Sequence, residues 1–147
     1  MFAKHFFTLA IVLVLLQVVS ASVYNQLQFI KIKSPKSGAT FEAGEKIKIE
    51  YIMQPLVFNS VSMGKALSLG IHFHSRSGNV KNQKLATVAT QCPVTAADNK
   101  YITHSTTWTV PANTKPGSYA FDFDELVQFR HAQIQVKETV KVSVIEK

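Results

Sequence analysis

Hydrophobic and polar residues alternate along most of the chain after residue 23, and this pattern predicts β-strands. In Lys46–Tyr51, the side chains of Ile47, Ile49 and Tyr51 fall on one side, and two lysines and a glutamate fall on the other. Such alternation is typical of a strand with one buried and one solvent-facing side. No segment after residue 23 has the 3.6-residue period of an amphipathic helix. We therefore expect an all-β chain.

Further strands are predicted between turns that are rich in Gly, Pro, Ser and Asn. They are Phe29–Lys33, Ala66–His74, Lys84–Thr90, Ile102–Val110, Ser118–Phe123 and a strand or strand pair within Gln133–Ile145. We expect an irregular connection over Gln54–Lys65. About seven or eight strands in one domain predict an antiparallel β-sandwich of the immunoglobulin or fibronectin-III type, with a small barrel as the alternative.

The start of the chain has the pattern of a secretory signal peptide. The uncharged run Phe6–Val19 follows Lys4 and His5 and precedes small residues. Its 14 residues are fewer than the roughly 20 that a membrane-spanning helix needs. We expect cleavage after Ala21, with cleavage after Ser22 as an alternative, and this divides the chain into a signal peptide, 1–21, and a single secreted sandwich domain, 22–147. An uncleaved anchor is the alternative.

The chain is basic, with 16 Lys and Arg against 9 Asp and Glu and a net charge of +7 at pH 7. The lysines are spread along the sequence, so we expect weak, salt-sensitive attraction to polyanions rather than a specific nucleic-acid site. A secreted protein is not expected to meet nucleic acid. The expected partner is therefore a cell-wall polysaccharide or an acidic surface polymer.

A single cysteine, Cys92, cannot form a disulfide within the chain. We expect it to be a buried small hydrophobic residue, with an intermolecular bridge or a reactive thiol as alternatives. Stability is then expected from a hydrophobic core, which a domain of this length can form.

Two groups of motif residues follow one another in order along the chain. The first is a Ser-Pro and Gly opening with Ala-Gly before a strand, and the second is Trp-x-Val-Pro followed by Pro-Gly-x-Tyr. They comprise Pro35, Gly38, Gly44, Trp108, Pro111, Pro116, Gly117 and Tyr119. With them, the chain resembles the Ser/Thr-rich GPI-anchored membrane protein family of fungi over most of residues 28–145. That family includes the N-terminal domain of yeast cell-wall β-1,6-glucan synthesis proteins.

The resemblance implies an extracellular, immunoglobulin-like, non-catalytic module associated with the fungal cell wall or its glucan. The motif residues are structural, so the resemblance implies no catalytic residue and no cofactor. The sequence lacks the Ser/Thr-rich stalk of the family, and its end, Lys141–Lys147, is not the hydrophobic tail of a GPI signal. We therefore expect a freely secreted or peripherally bound protein.

His72 and His74 are candidate metal ligands because alternate residues of a strand point to the same face. With His104 or His131 as a third ligand they would form a copper or zinc site. The simpler expectation is that both rings lie on the solvent face of the strand. A small secreted metal-binding protein is thus one alternative function, and a secreted protein-interaction factor is another.

Acidic and aromatic residues supply the remaining candidates. Asp122, Asp124 and Glu125 form a dense acidic cluster, for which an outward-facing strand surface is expected rather than a glycosidase pair or a calcium loop. Trp108 and Tyr119 are expected to pack in the core. The candidates for glycan contact are Tyr24, Phe58 and Tyr101. With no nucleophile motif or phosphate loop in the sequence, we expect no enzyme.

Overall fold

The computed structural model describes residues 30–54, 56–58, 61–78, 84–96 and 101–146. The predicted signal peptide, 1–21, lies outside these ranges. The strands in chain order are β1 (Ile30–Ser34), β2 (Ala39–Glu42), β3 (Lys46–Met53), β4 (Leu56–Phe58), β5 (Val61–Ser75), β6 (Lys84–Ala89), β7 (Ile102–Thr109), β8 (Gly117–Phe129) and β9 (Ala132–Ile145). Within the described ranges there is no helix with the length and hydropathy of a membrane span.

The strands form two sheets. The smaller sheet has the order β1-β3-β7 and is antiparallel. The larger sheet has the order β2-β9-β8-β5, and β4 and β6 pair with different halves of β5. The pair β2 and β9 is parallel, whereas the other pairs of this sheet are antiparallel. The predicted β-sandwich is confirmed, with one parallel pair and nine strands within the described residues.

The core lies between the sheets and follows the alternation of the sequence. In β3, Ile47, Ile49 and Tyr51 are at most 4% exposed, and in β8 Phe121 and Phe123 are fully buried. Full burial of a large apolar side chain stabilises a fold by about 1.5–3 kcal/mol. The predicted inward faces of these strands are therefore confirmed.

An aromatic cluster joins the two sheets at one end of the core. The ring of Phe73 in β5 has its centroid 4.9 Å from that of Tyr119 and 5.1 Å from those of Trp108 and Phe121. Trp108 comes from the smaller sheet and the other three rings come from the larger one. Trp108 and Tyr119 thus pack against the core, and the Tyr119 hydroxyl donates to the Lys115 carbonyl at 2.7 Å.

The motif glycines anchor two tight turns. Gly38 and Gly44 have φ values of +85° and +81°, in the left-handed region that glycine adopts most readily. The amide of Gly38 donates to the Lys141 carbonyl at 2.7 Å, and that of Gly44 donates to the Val110 carbonyl at 2.9 Å. Each turn therefore ties the chain to a strand distant in sequence, and Pro35 is buried just before the first of them.

Several sequence-based boundaries were wrong. The expected irregular connection over Gln54–Lys65 instead contains β4 and the first residues of β5, because this segment pairs as a hairpin. β8 continues to Phe129 and not to Phe123. Of the two forms left open for Gln133–Ile145, the structure has the single strand. The alternation in Ala66–His74 places Leu67 on the same side as the buried Leu69, but Leu67 is only half-buried because the pairing of β5 with β8 shifts between Ala66 and Ser68.

Candidate functional site

The outer face of the smaller sheet carries two columns of exposed polar side chains. The charged column is formed by outward side chains of the two neighbouring strands β1 and β3, and the hydroxyl column is formed by β7. The lysines are Lys31, Lys33, Lys46 and Lys48, and the hydroxyls are those of Thr103, Ser105, Thr107 and Thr109. We call this surface the lysine–hydroxyl face.

Strand pairing aligns the two columns. The register pairs Lys46 with Thr109, Lys48 with Thr107 and Glu50 with Ser105 across β3 and β7. Neighbouring strands lie about 4.8 Å apart, so three of the four hydroxyls are adjacent to a charged side chain of β3, whereas Thr103 lies opposite Ile52. Lys31 on β1 pairs with Ile52 on β3. The charged column therefore extends over six residues of β3, from Lys46 to the level of Ile52, which is about 20 Å at roughly 3.4 Å per residue. The result is a cationic and hydrogen-bonding surface.

One carboxylate, Glu50, lies within the lysine column. Its Oε1 is 3.4 Å from the Lys33 Nζ, and its Oε2 accepts a hydrogen bond from the Lys48 ammonium. The hydrogen bond from Lys48 has the largest effect on the pKa of Glu50, and together with the contribution of Lys33 it outweighs the opposing effect of burial, so this pKa is lowered. Glu50 is therefore an internal counter-ion for two of the four lysines.

The expectation of spread-out lysines was wrong for this part of the molecule. Lysines that are separated along the sequence come together because β1 and β3 are neighbours and both turn their lysines outward. A signal was present in the sequence, since Lys31 and Lys33, like Lys46 and Lys48, are two residues apart. Such pairs share one side of a strand.

The outer face of the larger sheet carries a different polar cluster. His74 Nε2 is 3.1 Å from Asp122 Oδ2, and His72 Nε2 is 3.6 Å from Asp124 Oδ2. The Lys137 Nζ lies 3.6 Å from Asp122 and 3.7 Å from Asp124. The two candidate metal ligands are therefore each opposed by an aspartate. We call these five residues the histidine–aspartate cluster.

Local packing fixes the orientation of this cluster. The Thr139 hydroxyl donates to Asp122 Oδ1 at 2.6 Å. Burial raises the pKa of Asp122, but the bond from Thr139 and the proximity of His74 outweigh it, so the pKa is lowered. His74 Nδ1 lies 2.9 Å from the Ser75 carbonyl oxygen. A Cβ atom at Gly70 would lie 3.4 Å from His72 Nε2, so the glycine leaves room for this ring.

The third ligand that the metal-site hypothesis requires is not supplied. His104 lies in the smaller sheet, where its Nε2 is 3.0 Å from the Thr95 carbonyl oxygen and its ring is 5.5 Å from that of Tyr51. His131 lies in the turn between β8 and β9. In the part of the chain that the structure describes, no group of three or more His, Cys, Asp or Glu side chains is arranged to hold a metal ion.

Glu125 does not belong to the outward-facing acidic cluster in which the sequence placed it. It follows Phe121 and Phe123 in the inward phase of β8 and is 1% exposed. Neither of its carboxylate oxygens has a hydrogen-bond partner within the described ranges. Burial, and secondarily Glu138, raise its pKa to about 7. The prediction was wrong because Glu125 is adjacent in sequence to Asp124 but on the opposite side of the strand.

The other candidate residues have varied positions. Tyr101 is 73% exposed just before β7. Phe58 ends β4, but its side chain, like the whole of Tyr24, lies outside the described part of the structure. Cys92 is 8% exposed, as expected for a small buried hydrophobic residue, and burial raises the pKa of its thiol. Tyr101 is thus the one glycan-contact candidate whose exposure is established.

Comparisons with known proteins give distant structural similarity but no sequence relative. No protein-family model matches the chain, and no curated protein matches it. Among solved structures, the chain is similar to the fibronectin(III)-like modules of Clostridium thermocellum CbhA, with 17% sequence identity and a TM-score of 0.40. The match covers 80% of this chain and 46% of that chain. The chain thus spans about half the length of the protein it matches.

Proposed function

We propose that this protein is a secreted, non-catalytic module that binds an acidic polysaccharide of a cell wall or cell surface through the lysine–hydroxyl face. The observation that carries the proposal is one sheet face that holds four exposed lysines of β1 and β3 and four exposed hydroxyls of β7, with Lys46 and Lys48 directly opposite two of the hydroxyls. Ammonium groups attract the anionic groups of such a polymer, and hydroxyls form hydrogen bonds with its sugars. The signal-peptide pattern and the resemblance to fungal wall proteins are the reasons for placing the polymer outside the cell.

The outer face of the larger sheet differs in its charge, and this difference favours the lysine–hydroxyl face as the binding surface. There, Lys137 lies between two aspartates, and the two histidines oppose the same carboxylates. The aspartates oppose the positive charge of Lys137, although the buried His72 Nδ1 has no hydrogen-bond partner within the described residues. The histidine–aspartate cluster should therefore attract a polyanion less than the lysine–hydroxyl face does. The same pairing leaves the alternative of a copper or zinc protein without a supporting observation.

The test compares two double variants that remove the same charge from opposite faces. Lys46→Gln with Lys48→Gln changes the lysine–hydroxyl face, and Lys65→Gln with Lys141→Gln changes exposed lysines of the larger sheet. Binding of residues 22–147 to hyaluronan, polygalacturonate, chitin and β-glucan is measured by calorimetry at low and physiological salt. Each exposed charge pair contributes about 0.2–1 kcal/mol. We therefore expect the first variant, which removes two such charges, to lose about two- to thirtyfold in affinity for an acidic polymer, and the second to lose less than about twofold.

Two results would count against the proposal. Equal losses in both variants would indicate attraction by net charge alone, and binding that disappears at physiological salt for every polymer would indicate the same. If the wild-type protein bound none of the polymers but bound a protein in a saturable manner, the alternative of a protein-interaction factor would be favoured.

A further inference from the structure

A cavity of about 310 Å³ lies beside the turn that connects β7 to β8. The core residues Phe73 and Tyr119, which are 1% and 7% exposed, close its inner side. Leu85 of β6 and Pro111 form apolar parts of its wall, and Leu85 is 47% exposed to solvent. The cavity is therefore closed by the core on one side and accessible from the other.

The rest of the wall is polar and comes from the turn. Asn113, Thr114 and Lys115 contribute an amide, a hydroxyl and an ammonium group. None of these three side chains bonds to another residue that the structure describes. In contrast, the hydroxyls of Ser75 and Tyr119 already donate to backbone carbonyls. The three turn side chains are thus the polar groups of this cavity that are available to a ligand.

The turn that carries these side chains is held in place by its own contacts. The amide of Thr114 donates to the Pro111 carbonyl at 2.9 Å, and the Tyr119 hydroxyl donates to the Lys115 carbonyl. The ring of Tyr119 in turn stacks on that of Phe73, with an angle of 9° between the two planes. A binding site that is ordered in advance loses less conformational freedom when it binds a ligand.

We propose that this cavity binds one terminal acidic sugar unit, with its carboxylate toward Lys115 and its hydroxyls toward Asn113 and Thr114. The inference rests on the proposed function and adds a second contact for the same class of polymer. The cavity volume is at the lower end of the roughly 300–1,000 Å³ of small-molecule sites, so it suits one ring. Since the core closes the inner side, a polymer cannot run through the cavity, and the unit that enters is a chain end or a single-unit branch.

A sugar acid matches both kinds of wall. The C–H groups of its ring offer an apolar surface to Leu85 and Tyr119, and its hydroxyls both donate and accept hydrogen bonds, as an amide and a hydroxyl also do. Its carboxylate attracts an ammonium group more strongly than a neutral hydroxyl does. A neutral sugar lacks this last contact, and an apolar ligand would leave all three polar side chains without a partner.

The cavity adjoins the end of the lysine–hydroxyl face. β7, which supplies the hydroxyl column, ends at Thr109, and Pro111 of the cavity wall follows two residues later. Two residues of chain span at most about 7 Å. The proposed polymer surface and the proposed site for a terminal unit are therefore neighbours.

The experiment uses methyl glucuronide, a single acidic sugar unit, and methyl glucoside as its neutral counterpart. Titrations are followed through the backbone amide signals in NMR spectra, which locate the site and also show that each variant is folded. The wild-type protein is compared with Lys115→Gln and Lys36→Gln. Lys36 is the matched control because it is an exposed lysine in the turn between β1 and β2 and does not line this cavity.

Methyl glucuronide is expected to shift the amide signals of residues 113–115 in a saturable manner and to bind more tightly than methyl glucoside. Lys115→Gln should lower its affinity by about two- to fivefold, the value of one exposed charge pair, and Lys36→Gln by less than about 1.5-fold. Equal affinity for the two sugars, equal losses in the two variants, or unchanged signals at residues 113–115 would overturn the inference. Failure of the proposed function would differ, because acidic polymers would then leave the amide signals of Lys46 and Lys48 unchanged.

Two oligosaccharides distinguish a chain end from a branch. An oligogalacturonate offers an acidic unit at its end, whereas a glucuronoxylan oligosaccharide carries single glucuronic acid branches on a neutral chain. A shift of the signals of residues 113–115 with either ligand supports the inference and identifies the source of the unit. Unchanged signals with both ligands would overturn it.

Discussion

Glu125 is expected to make the stability of this protein depend on pH. Its carboxyl group is 1% exposed, lies between Leu69 of β5 and Val136 of β9 in the strand register, and has no hydrogen-bond partner in the described part of the chain. A buried carboxylate without a partner is unfavourable, so the folded protein favours the protonated form. The pKa therefore rises from 4.5 to about 7.

The size of the effect follows from this shift. Each unit of pKa difference between the folded and unfolded states corresponds to about 1.4 kcal/mol. Because the folded-state pKa is raised, the stabilisation is fully present below pH 4.5 and is lost as the pH rises to about 7. The free energy of unfolding should thus fall by about 3 kcal/mol over this interval. Burial also raises the pKa of Glu138, which adds a decrease in the same direction.

The replacement Glu125→Met isolates the contribution of this carboxyl. Methionine has a similar length and buries no polar atom, so the variant should be more stable than the wild-type protein at pH 7.5 by about 3 kcal/mol. At pH 4.5 the difference should be much smaller, because the wild-type carboxyl is then protonated. Chemical unfolding, followed by the fluorescence of Trp108 between pH 4.5 and 8, gives both values.

The test compares how steeply the free energy of unfolding changes with pH in each protein. Glu146→Gln removes an exposed carboxylate and should leave the pH profile unchanged. Parallel profiles for the wild-type protein and Glu125→Met would refute the reasoning, because the pH dependence would then come from other groups. A variant that is less stable at all pH values, with an unchanged slope, would also refute it.

Three further changes test the packing and the outer faces. A Cβ at Gly64 would lie 2.4 Å from a backbone oxygen of β8. Gly64→Ala should therefore lower the free energy of unfolding, measured by urea titration, by about 1–3 kcal/mol. The control Gly70→Ala, whose Cβ would have its nearest contact at 3.4 Å, should lower it clearly less. Tyr119→Phe removes the bond to the Lys115 carbonyl and should cost about 1 kcal/mol; an unchanged unfolding midpoint would contradict this. Asp122→Asn should reduce the free energy of unfolding at pH 7 by about 1–3 kcal/mol. The lowered pKa of Asp122 provides stability at pH values above the ordinary pKa of 3.8, and this stability is lost as the pH falls through the folded-state pKa. The variant should therefore lose less stability on acidification than the wild-type protein, and an identical loss in both would contradict the stabilising role of Asp122.

The sequence predicted those features of the fold that depend on a single strand. Alternation in Lys46–Tyr51 and around Phe121 correctly separated buried from exposed residues, because the side-chain direction repeats every two residues. The parallel pairing of β2 with β9 had no such signal, since β2 is a four-residue strand with mixed burial. Pairing between distant segments depends on the whole topology, which one sequence pattern does not specify.

The candidate site was harder to predict for the same reason. The lysine–hydroxyl face is formed by the outward side chains of three strands, and it exists only because β1, β3 and β7 are neighbours. The outward phase of β3 was predicted correctly, but the sequence did not show that the outward sides of the three strands meet on one surface. Glu125 shows the complementary error, because adjacency in sequence grouped it with Asp124 although their side chains point to opposite sides of the sheet.

The distribution of charge explains why net charge alone is a poor guide to binding by this protein. The carboxylates of Asp122 and Asp124 are paired with Lys137 and the histidines on the larger sheet, and Glu125 is buried in the core. In contrast, Glu50 is the one acidic residue on the lysine–hydroxyl face, so most of the charge there is not neutralised. Under the proposed function, we therefore expect a polyanion to favour the smaller sheet over the histidine–aspartate cluster of the larger one.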